Sequence, residues 1–517
     1  MALPTEGLND TTNYHLPTTN FQQMSENADK LGWPTRIGFG AGDFAQNIVF
    51  TAVSAYLLFF YTDVFGLAPA TAATMFLVVQ IVDALWNPFA GAFIDKHDPP
   101  WGKYRTYLVW AGLPLSALSV LCFWNPFGDG ASAWKTFYVC ATYTGFTLLF
   151  SLVNVAYGAI NASPTRDTDE ITVLTSVRIF LANAGCFLAS AGVPLLVGAL
   201  AGWDGGRLGE AALPCEAALP CGGRGATALP WRTALFMGLG FLPSFFFMPL
   251  LPALRRLLGK KGLFFAFAAV AVAGMAALYL LSRAGGTRSS ASVWIYAAQF
   301  VKATGIIVAT GYMWALVPEV IAYSEHRTGR RISGIVNAIM GVFFRIGMAI
   351  GRIVPGVVLA WTGYCTTPGG TRSCASADAL PTSPGAWLLT MIVFALVASA
   401  CLVFSFTQTK ERVVMDASAT AQVRTSDLWR EFRHNAPLRI LGLFFVLAFA
   451  MMSVGNAAGA YFMNGLESQT PLAREGIRWL VCVIPAILMA AATAVIARYP
   501  LADKMVDQMN REIEGRL

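Results

Sequence analysis

An all-α bundle of twelve membrane-spanning helices is the fold class this sequence predicts, and three observations predict it. The chain has 517 residues, of which 56% are hydrophobic and only 13% charged, whereas a soluble domain carries about 25% charged residues. Apolar stretches of about 20 residues, the length at which a helix crosses a bilayer, recur along the chain. Lys and Arg gather in alternate connections, the asymmetry that sets orientation in a membrane. Lys96, Lys103, Arg105, Arg255, Arg256, Lys260, Lys261, Arg327, Arg330 and Arg331 carry that bias, and it predicts that both termini are cytoplasmic.

The elements follow in order. Residues 1–35 are polar, rich in Asn and Thr, and lack the basic start and short apolar core of a signal peptide; they read as a disordered cytoplasmic tail. Segment 36–200 holds five predicted spans, 37–61, 70–95, 105–124, 136–162 and 173–200. An exterior loop at 201–231 contains the tandem "EAALPCEAALPC" (210–221), the kind of duplication a loop tolerates. Segment 232–362 holds four more, 232–254, 262–282, 292–322 and 333–362, before a second exterior loop at 363–384. A single span at 385–406 precedes the longest interior connection, 407–438, whose "TSDLWREFRHN" predicts a short interfacial helix. Spans 439–463 and 477–497 and a cytoplasmic tail, 498–517, complete the chain.

Several classes are excluded. The net charge of +7 reflects the loop bias, and no basic segment interleaved with aromatics offers a nucleic-acid surface. There is no P-loop to drive transport with ATP. His15, His97, His326 and His434 are scattered without ligand spacing, so no metal site, cofactor or catalytic centre is expected. Five of the nine cysteines fall in predicted helices as small hydrophobes. Cys215, Cys221, Cys365 and Cys374 fall in exterior loops, where disulfides are permitted but no pairing can be read.

Ionisable residues inside spans are expensive and mark function by default. "IVDALWNPFAG" (81–91) places Asp83 in mid-span, and Asp43 and Glu319 are the other acids. Against them stand Arg178, Lys302, Arg345 and Arg352. Lys302 lies too deep for easy snorkelling, and Arg345 and Arg352, seven apart, share a helix face. The surplus of positive charge has two readings: recognition of an anionic substrate whose carboxylate an Arg fork grips, or interhelical salt bridges that exchange during a conformational cycle.

"IGFGAGDFAQNIVFTAVSAYLLFFYTDVFGL" followed by "VDALWNPFAGAFIDKHDPPWGKYRTYLVWAG" resembles the glycoside–pentoside–hexuronide cation symporters, relatives of melibiose permease in the major facilitator superfamily. "NVAYGAI" (154–160), "SVRIFLANAG" (176–185), "PEVIAYSEHRTGRRISGIVNAIM" (318–340) and "IPAILMAAATAVIARYPL" (484–501) extend the resemblance. The pieces are out of the family's order. "TKERVV…TSDLWREFRHNAPLRILGLFFVLAFAMMSVGNAAGAYFM" looks like the family's sixth-helix end, central loop and seventh helix, yet follows "WTGY" (361–364), which looks like the end of its eleventh. The order implied is family helices one to five, eight to eleven, six and seven, then twelve. Its three junctions fall in exterior loops, so each helix keeps its direction. Helix 385–406 should then complete the first six-helix bundle, and 439–463 the second.

The resemblance implies a symporter importing a sugar, glycoside or hexuronide by alternating access, as a monomer in a bacterial inner membrane. It implies a cation site at Asp83, Asn87, Ser151 and Asn154, with H⁺ or Na⁺ as coupling ion. One carboxylate stands where the family has several, which favours H⁺. Substrate contacts are implied at Asp43, Asn154, Arg178 and Arg345, with Lys302, Glu319 and Arg352 added from their place in spans. Gly42 and Gly158 replace a lysine and a tryptophan of the melibiose carrier, removing a stacking wall. "GAFIDK…WGKYR" and "SEHRTGRR" imply gating at the interior mouth by Asp95, Lys96, Lys103, Arg105, Arg330 and Arg331. A lysolipid carrier and a non-transporting receptor or scaffold are the alternatives. The former predicts an apolar cleft open sideways, the latter no flux that depends on Asp83.

Overall fold

Each apolar stretch becomes a helix because a chain in hydrocarbon must satisfy its backbone hydrogen bonds internally. The computed structural model describes residues 32–96, 99, 101–102, 104–127, 133–160, 168–200, 230–285, 292–311, 313–328, 333–364, 384–408, 432–465, 469–501, 505–506, 508–509 and 512. Most of the N-terminal tail, the four loop cysteines, Lys103, Arg330, Arg331 and most of 407–438 lie outside these residues, as do the side chains of Asn87, Asp95 and Lys96.

The helices are α1 (Trp33–Phe59), extended by a π-helical turn Phe60–Val64, α2 (Pro69–Lys96), α3 (Thr106–Trp110), α4 (Gly112–Cys122), α5 (Ala133–Ile160) and α6 (Thr168–Leu200). They continue as α7 (Pro230–Leu239), α8 (Leu242–Gly285), α9 (Ser292–Gly311), α10 (Val317–Thr328), α11 (Ser333–Trp361) and α12 (Pro384–Gln408). The last are α13 (Ala436–Gly465), α14 (Pro471–Arg478) and, after a second π-helical turn Trp479–Val483, α15 (Ile484–Ala497). Among the described residues ten helices are long and apolar enough to cross a membrane. Two apolar stretches, Pro69–Asp83 and Thr106–Cys122, are shorter.

Two predicted spans are corrected, 232–254, which breaks between α7 and α8 after Leu239, and 292–322, while the predicted boundary between 254 and 262 is present as a kink inside α8. Span 292–322 breaks between α9 and α10, where a 3-10 turn Met313–Leu316 intervenes and Pro318 lacks a backbone donor. Element α8 is two helices joined at Gly259, whose φ of 68° is left-handed and open to glycine at little cost.

Two bundles result. In the first, α12 packs against α1, α4 and α6, α1 against α6, and α5 against α2 and α4. In the second, α13 packs against α11, α15 and α7, and α9 against α8. The bundles meet where α2 touches α11, α6 touches α7 and α13 touches α1. Small residues make these crossings close, as helices in lipid require. A Cβ on Gly185 would lie 2.6 Å from the Phe44 carbonyl oxygen, so α6 and α1 touch backbone to backbone there.

Candidate functional site between the bundles

Beyond Ile37 helix α1 is largely buried, and within it Asp43, Asn47, Phe50 and Ser54 stay partly exposed. Their spacing of four, three and four residues puts them on one face. The stripe stays partly exposed on a largely buried helix, and Arg178 and Arg352 converge on it.

Asp43 pairs with Arg178 of α6, Nε to Oδ2 at 2.6 Å and Nη2 to Oδ1 at 3.3 Å. The Arg178 guanidinium also lies 4.8 Å from the Tyr157 ring centroid and 5.5 Å from that of Phe39. Gly42 permits this, because a Cβ there would meet the Tyr157 ring at 2.5 Å. Tyr157 donates its hydroxyl to the Phe39 carbonyl.

Asp83 is 5% exposed. Ser151 of α5 donates to its Oδ1 at 2.5 Å. Arg345 of α11 donates Nη1 to its Oδ2 and reaches Ser151 Oγ at 3.0 Å. The carboxylate is thus held by a neutral hydroxyl from its own bundle and a guanidinium from the other, two charge-assisted bonds of the stronger kind. The cluster joins Asp83 and Ser151, expected as cation ligands, with Arg345, expected as a substrate contact. Asn154, a turn further along α5, is exposed.

Arg352, two turns beyond Arg345, is 7% exposed and faces no carboxylate among the described residues. It donates Nη1 to the Tyr143 hydroxyl and Nη2 to Ser54 Oγ at 3.2 Å. Its guanidinium lies 5.5 Å from the Phe50 centroid, and its buried Nε has no partner. Three guanidinium groups, of Arg178, Arg345 and Arg352, therefore meet two carboxylates, of Asp43 and Asp83.

Two expected substrate residues sit elsewhere. Glu319 pairs with Lys260 at 2.7 Å, each side chain 10% exposed, within the second bundle at the face where α1 begins. Lys302 lies inside the second bundle with Nζ 5.7 Å from the Phe236 ring, away from Asp43 and Asp83. Arg105, expected at the gate, stacks on Phe406 at 5.0 Å within the first bundle. The missing stacking wall is also corrected in part. Phe50 and Phe150 stack at 5.0 Å and 20° beside Arg352, and Tyr157 faces Arg178. Phe50, Ser54, Tyr143 and Phe150 were missed, although the seven- and eleven-residue offsets from Asp43 mark Phe50 and Ser54 as sharing its face.

Two helical bundles enclosing a buried polar cluster at their junction define a polytopic membrane carrier. The family model for MFS/sugar transport proteins matches residues 38–215, 231–383 and 375–467, and the chain belongs to that family. It is 33% identical over 404 residues to the uncharacterized symporter YnaJ of Bacillus subtilis, covering 66% of this chain and 86% of the relative. It is 27% identical over 401 residues to the isoprimeverose transporter of Lactiplantibacillus pentosus, covering 64% of this chain and 81% of the relative. It is also 27% identical over 402 residues to the glucuronide carrier protein homolog of Escherichia coli, covering 65% and 85%.

Proposed function

We propose that this chain is a cation-coupled symporter that imports a sugar bearing a carboxylate, with H⁺ as coupling ion. The observation that carries the reading is Arg352, a buried guanidinium at the bundle junction with no carboxylate facing it among the described residues. An unopposed charge is costly in such a place, and a substrate carboxylate would offset it. The stripe on α1 and the Phe50–Phe150 pair supply hydrogen bonds and an aromatic face for a sugar ring. Family membership and relatives named as symporters, an isoprimeverose transporter and a glucuronide carrier homolog support the sugar class.

Coupling follows from the shared ligand. With Asp83 ionised, Arg345 is bound to it. A proton on Asp83 removes the charge that holds Arg345 and frees a second guanidinium, next to Arg352, for the substrate. Proton and anion then favour each other's binding, and the coupling is reciprocal. Gaining one proton and one monoanion leaves the carrier's charge unchanged, so the loading step is electroneutral. The cage suits Na⁺ less, because a guanidinium already occupies the single carboxylate.

The carrier acts as a monomer in a bacterial inner membrane, with both termini cytoplasmic, and its helices stand in permuted order. Packing of α12 on α1 and of α13 on α11 supports that order. So does the match to YnaJ, in which 404 aligned positions exceed the 66% of a 517-residue chain that they draw on, leaving part of the relative opposite a gap.

Uptake of labelled glucuronide into Na⁺-free proteoliposomes with an alkaline interior tests the reading. Accumulation that collapses with a protonophore, and persists when the membrane potential is clamped, is expected. Accumulation of neutral glycosides alone would overturn the anionic substrate, and a requirement for Na⁺ would overturn proton coupling.

A further inference from the structure

Of the residues implied as gates, those described, at the end of α2 and at Arg105, lie on the face where α1 begins. The opposite, far face of the protein carries a polar cluster that the transport reading leaves unused. The π-helical turn that ends the first span, Phe60–Val64, presents Thr62 and Asp63 together toward the second bundle. Tyr364, just beyond the end of α11, donates its hydroxyl to Asp63 Oδ1 at 2.9 Å, and Thr62 donates to Oδ2 at 2.6 Å. Thr62 Oγ1 also lies 2.8 Å from the hydroxyl of Tyr461 in α13. The two tyrosine rings meet edge to face, with centroids 5.2 Å apart at 87°, and Phe59 packs on Tyr461 at 5.5 Å.

We infer that Asp63, Tyr364 and Tyr461 form the latch of the far-side gate, which must part each time the substrate cavity opens to that face. Three features carry this. The bonds run between bundles: Thr62 and Asp63 belong to the first, Tyr364 and Tyr461 to the second. Asp63 is partly exposed while Thr62 and Tyr461 are fully buried, so water can take over the carboxylate's hydrogen bonds when the bundles separate. The same two helices that hold the site end in the latch. Helix α1 carries Asp43 to Ser54 below Asp63, and α11 carries Arg345 and Arg352 below Tyr364. A substrate that draws those side chains together or apart acts on the latch through two rigid rods. Local π-helical winding at such a point is common at functional sites.

The test needs no substrate, so it stands or falls separately from the anionic-sugar reading. In full-length protein reconstituted in liposomes, with its nine cysteines replaced, a single reporter Ser54→Cys sits on the cavity face below the latch. Its labelling rate by a membrane-impermeant maleimide added at the far face measures how often that face opens. Loss of both hydrogen bonds at Asp63 should raise the open population about tenfold in Asp63→Ala. Tyr364→Phe, which keeps the ring contact with Tyr461 and so folds as the parent does, should raise it by a smaller factor. The double substitution should add little to Asp63→Ala, since the bond that Tyr364→Phe removes is already lost there. Labelling rates that match the reporter alone in both Asp63→Ala and Tyr364→Phe, or that rise only for reagent added at the other face, would overturn the latch.

Discussion

Arg352→Gln separates the two readings of the buried arginines. In the structure Arg352 spends its donors on two neutral hydroxyls, Tyr143 and Ser54, and keeps a buried Nε without a partner. If a substrate carboxylate takes those donors, the substitution removes a hydrogen bond to a charged group, worth about 1.5–3 kcal/mol. At about 1.4 kcal/mol per tenfold, uronide affinity should fall roughly 10- to 100-fold. A neutral glycoside of the same ring size has no carboxylate to lose, and its affinity should change by no more than about threefold, the scale of one ordinary surface substitution. Competition of both sugars against a labelled glucuronide, in detergent-solubilised Arg352→Gln and in Arg352→Lys, reads the difference. Arg352→Lys should retain part of the affinity, since it keeps the charge but loses the planar fork. Tyr143→Phe controls for the bundle contact. Equal losses for the acidic and the neutral sugar, repeated in Tyr143→Phe, would refute the argument and make Arg352 a tie between bundles.

The remaining expectations concern stability and coupling. Asp83→Ala strands Arg345 in a buried position and should cost about 3–5 kcal/mol in thermal unfolding; adding Arg345→Ala should recover most of it, and no recovery would mean that Arg345 has another partner. Asp83→Asn should abolish uphill uptake driven by a proton gradient while leaving substrate exchange measurable, and unchanged accumulation would remove Asp83 from coupling. Gly185→Ala should lose about 1–3 kcal/mol through overpacking, because its Cβ would sit 2.6 Å from the Phe44 carbonyl oxygen; a neutral result in a melting assay would mean that α1 and α6 slide apart freely.

The helices were legible because the bilayer dictates their length, and a run of apolar residues can satisfy it in only one way. Where two helices meet at a turn inside one apolar run, as between α9 and α10, hydropathy alone gave no warning and Pro318 was the signal to read. The charged residues of the spans were legible one at a time, but their partners were not. Asp83 and Arg345 are separated by 262 positions, and nothing in periodicity says which acid an arginine will find. Glu319 illustrates the cost: counted with the cavity from its place in a span, it belongs to Lys260 at the end of the bundle. Asp63 was passed over for the opposite reason. An acid at the end of an apolar stretch looks like ordinary interfacial anchoring, and only its bond to Tyr364 gives it a role. Phe50 and Phe150 were hidden among many aromatics, since stacking across helices leaves no trace in either sequence.

The seat of α12 has a consequence for how the protein is made. Trp387 stacks against Phe123 and lies against Phe59 and Phe60, and Gln408 packs beside Gly38, so this helix closes a groove lined by helices that leave the ribosome well before it. It emerges only after α7 to α11 have been synthesised. During that interval the first five spans stand in the bilayer with an unfilled face, covered by lipid or by the insertion machinery. A polypeptide stopped between α6 and α7 therefore ends with an incomplete first bundle, and the two bundles of this carrier cannot be supplied as two contiguous half-chains.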